Sequence, residues 1–147
     1  MSKVLLVISV LVVLVFIKNR LTPYPETDTG IQFFKGSWEE ALQKAAAEGK
    51  PVFLDIYASW CGTCKKLKRV TFANEEAARF FNAHFINVEL DGEKGEGKML
   101  AERFGVRSYP SLFVISKDGS VVKYSAGYLS PSELIQFGET ALKQKEE

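Results

Sequence analysis

Two cysteines, Cys61 and Cys64, stand two residues apart and are the only cysteines of the chain. They follow a hydrophobic run and precede a helix-like pattern, which predicts that they lie at the N-terminus of a helix. Unpaired backbone N–H groups and the positive end of the helix dipole stabilise a thiolate there, so we expect the pKa of Cys61 to lie below about 8.5. Cys61 is therefore the predicted nucleophile. Cys64, roughly one turn further on and expected to be less exposed, is the predicted resolving thiol.

An acid, Asp55, lies in the apolar run Val52–Tyr57 that leads to this motif. A buried, ionised carboxylate without a partner costs several kcal/mol, so burial should raise its pKa and let it exchange protons near neutrality. A proton-transfer role is the predicted function of Asp55. The alternative is a polar residue at a strand end, bonded to backbone N–H groups.

The segment Trp60–Lys65 resembles the active-site motif of the thioredoxin superfamily, and the likeness covers roughly residues 31–142. Further matches are Asp55, six residues before the first cysteine, the segment Ser108–Ser111, Gly119 and Gly127. The continuation Cys-Lys-Lys-Leu with Thr71 and Phe72 is similar to membrane-associated and periplasmic thioredoxin-like domains, including the C-terminal domains of DsbD-type disulfide reductases.

This resemblance implies an α/β thioredoxin fold, with a central mixed β-sheet flanked by helices. It also implies that Pro110 is cis and faces the disulfide, and that the backbone before it pairs with a partner peptide. Trp60, Tyr109 and Pro110 would then bind substrate around the dithiol, and Asp55 would lie behind Cys64. The alternatives are a proline that merely opens a strand and aromatic side chains that only pack.

Two departures from familiar thioredoxins leave the direction of electron flow open, although we expect a reductase. Thr63 replaces the usual proline between the cysteines, and Asn87 stands where many thioredoxins place a lysine near the buried acid. Changes between the cysteines shift the redox potential within this family.

Composition excludes several classes of protein. The chain has 147 residues, enough for one domain with its own core, and its formal net charge of +1 indicates no nucleic-acid partner. Two cysteines in one motif argue against a disulfide-stapled scaffold. No organic cofactor is implied, because the cysteine pair itself carries the electrons.

The N-terminus reads as a targeting segment. Val4–Ile17 is an uninterrupted run of apolar or small residues flanked by Lys3 and Lys18. As a helix it would measure about 21 Å, short of a roughly 30 Å hydrocarbon core, but no Ala-x-Ala cleavage site follows. We predict an uncleaved signal anchor over residues 1–20, a linker over 21–30 and a thioredoxin-like domain over 31–147. The alternative is a cleaved signal peptide and a soluble periplasmic or secreted protein.

Strands and helices alternate along the domain. The pattern predicts the following elements: a short strand Ile31–Phe34, helix Trp38–Glu48 with a capping box, strand Val52–Tyr57, a helix after the cysteines, a helix capped by Asn74, strand Phe85–Leu90, a flexible loop Gly92–Gly97, helix Lys98–Phe104, a hairpin of Ser111–Ile115 with Val121–Tyr124, and a last helix after Ser130.

Rival chemistries are weakly supported. His84, the single histidine, is expected to be a surface or capping residue, which makes a zinc site or a Cys-His hydrolase a poor fit, and no metal site is predicted within one chain. The cations Lys65, Lys66, Lys68 and Arg69 are expected to form a solvated helix face rather than a site.

The leading hypothesis is a membrane-tethered thiol:disulfide oxidoreductase on the periplasmic side. Its expected partners are proteins with disulfides or dithiols and a membrane electron donor, and the chain is expected to be a monomer. One alternative is a thioredoxin-fold module that holds extended polypeptides while its dithiol is redox-inert. Another is a metal site shared between chains through the paired cysteines.

Overall fold

A computed structural model describes residues 30–144, which form a four-stranded mixed sheet with helices on both faces. The predicted α/β architecture is confirmed. In chain order the elements are α1 (Trp38–Glu48), β1 (Val52–Tyr57), α2 (Gly62–Lys66), a π-helical segment (Leu67–Phe72), α3 (Glu75–His84), β2 (Ile86–Asp91), α4 (Gly95–Arg103), β3 (Ser111–Ile115), β4 (Val121–Ala126) and α5 (Pro131–Gln144).

The sheet order is β2-β1-β3-β4. Strand β1 runs parallel to β2 and antiparallel to β3, and β4 is antiparallel to β3. The C-terminal ends of β1, β2 and β4 and the N-terminal end of β3 therefore share one end of the sheet, which we call the upper end. The cysteine motif follows β1 at this end, between the loops that adjoin the other strands.

The central strand β1 is covered on both faces, as its apolar sequence predicts. Val52, Leu54 and Ile56 pack with side chains of α1 and α4, whereas Phe53 packs with the π-helical segment, α3 and α5. Fully burying each such side chain contributes about 1.5–3 kcal/mol. Because side chains alternate along a strand, Asp55 points to the same face as Phe53, towards the helix that carries the cysteines.

Several local signals act as predicted. Ser37 and Glu40 form the capping box of α1, Gly49 ends that helix at φ 67°, and Asn74 caps α3 through its side chain. The hairpin between β3 and β4 turns at Asp118 and Gly119, where Gly119 alone has a positive φ.

The prediction of a flexible loop over Gly92–Gly97 is wrong, because α4 already begins at Gly95. The first turn of α4 is fixed by Glu96, whose carboxylate accepts a hydrogen bond from the backbone N–H of Trp38. A Cβ at Gly97 would lie 2.1 Å from the carbonyl oxygen of Asp91. Gly97 therefore allows a close approach of the helix to the end of β2 instead of providing flexibility.

Two smaller expectations need correction. The predicted strand Ile31–Phe34 is reduced to one parallel bridge between Phe33 and Asn87. The helix after the cysteines changes at Leu67 from α-helical to π-helical hydrogen bonding.

The predicted signal anchor and nearly all of the predicted linker lie outside the described residues. No helix within residues 30–144 is both long and apolar enough to cross a bilayer.

Candidate active site

The two cysteines are joined in a disulfide at the start of the helix that follows β1. Cys61 is the N-cap residue of α2, and its Sγ accepts a hydrogen bond from the backbone N–H of Cys64 at 3.1 Å. The two Cα atoms lie 5.3 Å apart. The predicted position at a helix N-terminus is thus confirmed, and the same N–H group is placed to stabilise a thiolate on Cys61 once the pair is reduced.

The expectation that Cys64 is less exposed than Cys61 is wrong. Cys61 is 5% exposed and Cys64 is 7% exposed, because both belong to a buried cluster with Ala58 against which Tyr57 and Tyr109 pack. The two sulfurs differ in their surroundings instead: Cys61 faces Tyr109, and Cys64 lines a cavity shared with Asp55.

The loop before β3 faces the disulfide. The Tyr109–Pro110 peptide bond is cis, as the resemblance implies. The Sγ of Cys61 lies 3.6 Å from the carbonyl oxygen of Tyr109, and the backbone N–H of Gly127 donates to the carbonyl of Pro110 at 2.9 Å. The buried Pro110 is therefore held between the dithiol and the loop that follows β4.

An aromatic rim stands beside Cys61. Trp60 is 66% exposed and meets the ring of Tyr109 edge-on at 6.1 Å between centroids, while its indole N–H donates to Glu93 at 3.1 Å. The ring of Tyr109 lies over Gly92, where a Cβ would come within 2.6 Å of it. The structure thus brings Trp60, Tyr109 and Pro110 together around the dithiol, and their role in binding substrate stays a prediction.

Asp55 is buried behind the resolving cysteine. The acid is 3% exposed and shares with Cys64 a cavity of about 110 Å³, and its Oδ1 has no hydrogen-bond partner within residues 30–144. Burial, and then the nearby carboxylate of Glu89, raise the pKa of Asp55 from 3.8 to about 8, against an opposing effect of Lys68. The unpartnered oxygen argues against the alternative of a strand-end acid bonded to backbone N–H groups.

The sequence analysis did not connect Glu89 or Lys68 with Asp55. The parallel register sets Glu89 beside Asp55, and the Nζ of Lys68 lies 2.9 Å from a carboxylate oxygen of Glu89 at the same cavity. Asn87 is opposite Phe53 instead, and its side-chain amide donates to Asn82. The charged neighbours of Asp55 therefore come from two residues further along β2 and from the π-helical segment. Only the register of the two strands could have revealed Glu89.

His84 falls where the sequence analysis expected, whereas Lys65 and Lys68, expected on a solvated helix face, line the cavity of Asp55. His84 is half-buried at the end of α3, with Nδ1 2.8 Å from the carbonyl oxygen of Phe80, and precedes β2 at the end of the sheet opposite to the cysteines. Within residues 30–144 no three His, Cys, Asp or Glu side chains are grouped as metal ligands. Of the four exposed cations, Lys66 lies over the ring of Tyr128, 4.4 Å from its centroid.

Comparisons with known proteins agree with this geometry. The model of the thioredoxin-like domain family matches residues 38–142. The chain is 27% identical over 95 residues to the thiol:disulfide interchange protein DsbD of Yersinia pestis. The aligned stretch covers 63% of this chain but only 16% of that relative. The chain therefore spans about a sixth of the length of this relative.

Solved structures extend the likeness to the whole domain. A solution structure from Bacteroides thetaiotaomicron, described as a candidate disulphide-isomerase, is 38% identical with a TM-score of 0.70 and covers 80% of this chain and 97% of its own. The oxidised C-terminal domain of Neisseria meningitidis DsbD is 26% identical with a TM-score of 0.62 and covers 75% and 99%, respectively.

Proposed function

We propose that this chain, which belongs to the thioredoxin-like domain family, is a thiol:disulfide oxidoreductase that exchanges electrons between Cys61–Cys64 and disulfides of partner proteins. The observation that carries the proposal is the joined cysteine pair at a helix N-terminus, facing the cis peptide of Pro110. The relatives named for disulfide interchange and disulphide isomerisation support the same chemistry.

In the reducing direction, the thiolate of Cys61 attacks one sulfur of a partner disulfide. The partner bond breaks, a mixed disulfide forms on Cys61, and the partner's other sulfur leaves as a thiolate that takes up a proton. The thiolate of Cys64 then attacks Cys61, which closes the internal disulfide and releases the second partner thiol. Two electrons pass from the dithiol to the partner, and the pair is left as the structure shows it.

Asp55 is proposed to move the proton of the second step. As a carboxylate it accepts the proton of Cys64 across the shared cavity, and in the reverse direction the acid returns it. A pKa of about 8 keeps both forms of Asp55 populated near neutral pH, which suits a group that must act as acid and base. A hydrogen-bonded, exposed aspartate would stay ionised and could not donate.

The setting is proposed on the same grounds. The C-terminal domain of DsbD is similar to this chain, and the apolar run Val4–Ile17 precedes the domain. We infer a domain tethered on the periplasmic side of a membrane, monomeric and acting as a reductase, with a membrane protein that returns it to the dithiol state. A membrane-impermeant thiol reagent should then label Cys61 in intact, reduced cells, and labelling only after lysis would contradict this placement.

Trapping tests the proposed activity. In the Cys64→Ser variant the second step is blocked, so partners should accumulate as covalent adducts on Cys61 that a reductant releases. The matched control is Cys61→Ser, in which the remaining thiol lacks the position at the helix N-terminus and should collect few adducts.

The same experiment separates the binding module from the enzyme. A binding module would retain its partners, without covalent adducts, when both cysteines are replaced. Loss of all adducts in Cys64→Ser, together with failure of the wild-type chain to reduce a model disulfide, would refute the oxidoreductase.

A further inference from the structure

Two aromatic side chains in this part of the chain each contact a charged group, Trp60 an anion and Tyr128 a cation. On one side the exposed Trp60 donates its indole N–H to the carboxylate of Glu93. On the other side the ammonium group of Lys66 lies over the half-buried ring of Tyr128. Neither pair takes part in the exchange steps described above.

The sheet order puts these pairs on opposite sides of the cysteines. Glu93 follows β2 and Tyr128 follows β4, which are the two edge strands, and both loops lie at the upper end. The dithiol and the loop of Pro110 adjoin the two strands between them. Three strand spacings of about 4.8 Å separate the edges by roughly 14 Å, which an extended chain covers in about four residues.

Neighbouring charged residues do not cancel the negative charge at Glu93 or the positive charge at Lys66. Asp91, beside Glu93, is paired with Lys94 at 3.4 Å, so these two offset each other locally. Lys65, next to Lys66 on the same helix, lines the cavity of Asp55 instead, and the second cation at that cavity, Lys68, is paired with Glu89. Glu93 and Lys66 are themselves exposed, and the carboxylate and the ammonium group can both accept a further partner.

We propose that these two pairs form a bipolar docking rim, which selects an extended polypeptide with a basic residue on one flank of its cysteine and an acidic residue on the other. The proposal rests on the proposed disulfide exchange and names its substrate class. The basic flank lies against Glu93 and Trp60, the acidic flank against Lys66, and the cysteine in between reaches Cys61. Both contacts are exposed, so they act on the rate of productive encounter and on orientation.

Four cysteine peptides test the rim, each joined to methanethiol as a mixed disulfide. Each peptide has one charged residue two positions before the cysteine and another two positions after it. The two bipolar peptides carry Lys then Glu, or Glu then Lys, and the two uniform peptides carry Lys at both positions or Glu at both. The rate of oxidation of the reduced full chain is measured with each peptide at pH 7. At low salt the better of the two bipolar peptides should react about fivefold faster than either uniform peptide, and the ratio should fall towards one in about 1 M salt.

Two variants assign the effect to its charges. Glu93→Gln keeps an acceptor for Trp60 but should abolish the gain from the lysine flank, and Lys66→Gln should abolish the gain from the glutamate flank. Lys117→Gln, an exposed cation removed at the turn at the opposite end of the sheet, should leave all ratios unchanged.

Each other outcome has a distinct meaning. Uniform peptides that react as fast as both bipolar peptides, or a preference that survives Glu93→Gln and Lys66→Gln, would overturn the rim while leaving the exchange activity in place. Absence of reaction with all four peptides would overturn the proposed function and the rim with it.

Discussion

Replacing Asp55 by asparagine should increase the free energy of unfolding of the oxidised chain at neutral pH. Asparagine has nearly the same shape and fills the same buried site, but it cannot ionise. The native acid resists ionisation because it is buried and lies close to the carboxylate of Glu89. These two effects raise the pKa of Asp55 from 3.8 to about 8. In the unfolded chain the acid ionises freely, and this favours unfolding.

The size of the effect follows from the two pKa values. Below pH 3.8 the acid is protonated in both states, so the variant and the wild type should be equally stable. As the pH rises from 3.8 to about 8, the unfolded state alone loses the proton, and the wild type loses about 1.4 kcal/mol of stability per pH unit relative to the variant. The difference is about 4 kcal/mol at pH 7 and levels off above pH 8.

Denaturant unfolding of both chains from pH 3 to pH 9 measures this difference. A control with the opposite sign is Asp118→Asn at the exposed hairpin turn, where hydrogen bonds from Ser116 and Ser120 lower the pKa of Asp118 to about 2. That aspartate stabilises the fold above pH 3.8 and loses the effect as the pH falls through 2, so its replacement should destabilise the chain at neutral pH.

Asp55→Asn should also lower the activity. Without a carboxylate to take the proton of Cys64, release of a mixed disulfide should slow by about 10²-fold, the lower end of what a general base contributes. A gain in stability that does not depend on pH, or a loss of stability at pH 7, would refute the account of Asp55 as a buried acid held largely protonated by its surroundings.

Further predictions concern the surroundings of the dithiol and one helix start. Lys68→Met removes the cation that opposes the raised pKa of Asp55, so the pH at which stability levels off should move upwards in the same titration. Gly92→Ala places a Cβ 2.6 Å from the ring of Tyr109 and should destabilise the chain by about 1–3 kcal/mol while displacing that ring, which the chemical shifts of Tyr109 would report. Asn74→Ala removes the side-chain acceptor at the start of α3 and should cost about 1 kcal/mol in denaturant unfolding, with no change in the rate of disulfide exchange.

The parts of the fold that were predictable are those with local causes. The capping box of Ser37 and Glu40 and the cap at Asn74 act within one helical turn, so the sequence alone locates these helix starts. The apolar run of β1 is likewise read directly, because a strand covered on both faces is apolar at successive positions, and Asp55 is the one exception in it.

The errors arise where distant segments decide. The glycines between Gly92 and Gly97 indicate a loop by composition, yet packing against Asp91 and a hydrogen bond to Trp38 turn their second half into a helix start. Equal burial of the two cysteines likewise depends on Tyr109, which is 48 residues away from Cys61.

The candidate site divides in the same way. The cysteines were recognisable from their spacing and Asp55 from its apolar strand, and the position of Pro110 came from family resemblance. Glu89 and Lys68 were not recognisable, since only the pairing of β1 with β2 and the packing of the π-helical segment bring them to Asp55.

The most direct test of the mechanism is the pH dependence of alkylation of Cys61 in the reduced chain. If the N-cap position and the N–H of Cys64 stabilise the thiolate, Cys61 should react with iodoacetamide with a midpoint well below pH 8.5, and Cys64 should stay unmodified over the same range. A midpoint at or above pH 8.5, or preferential labelling of Cys64, would contradict the assignment of Cys61 as the nucleophile.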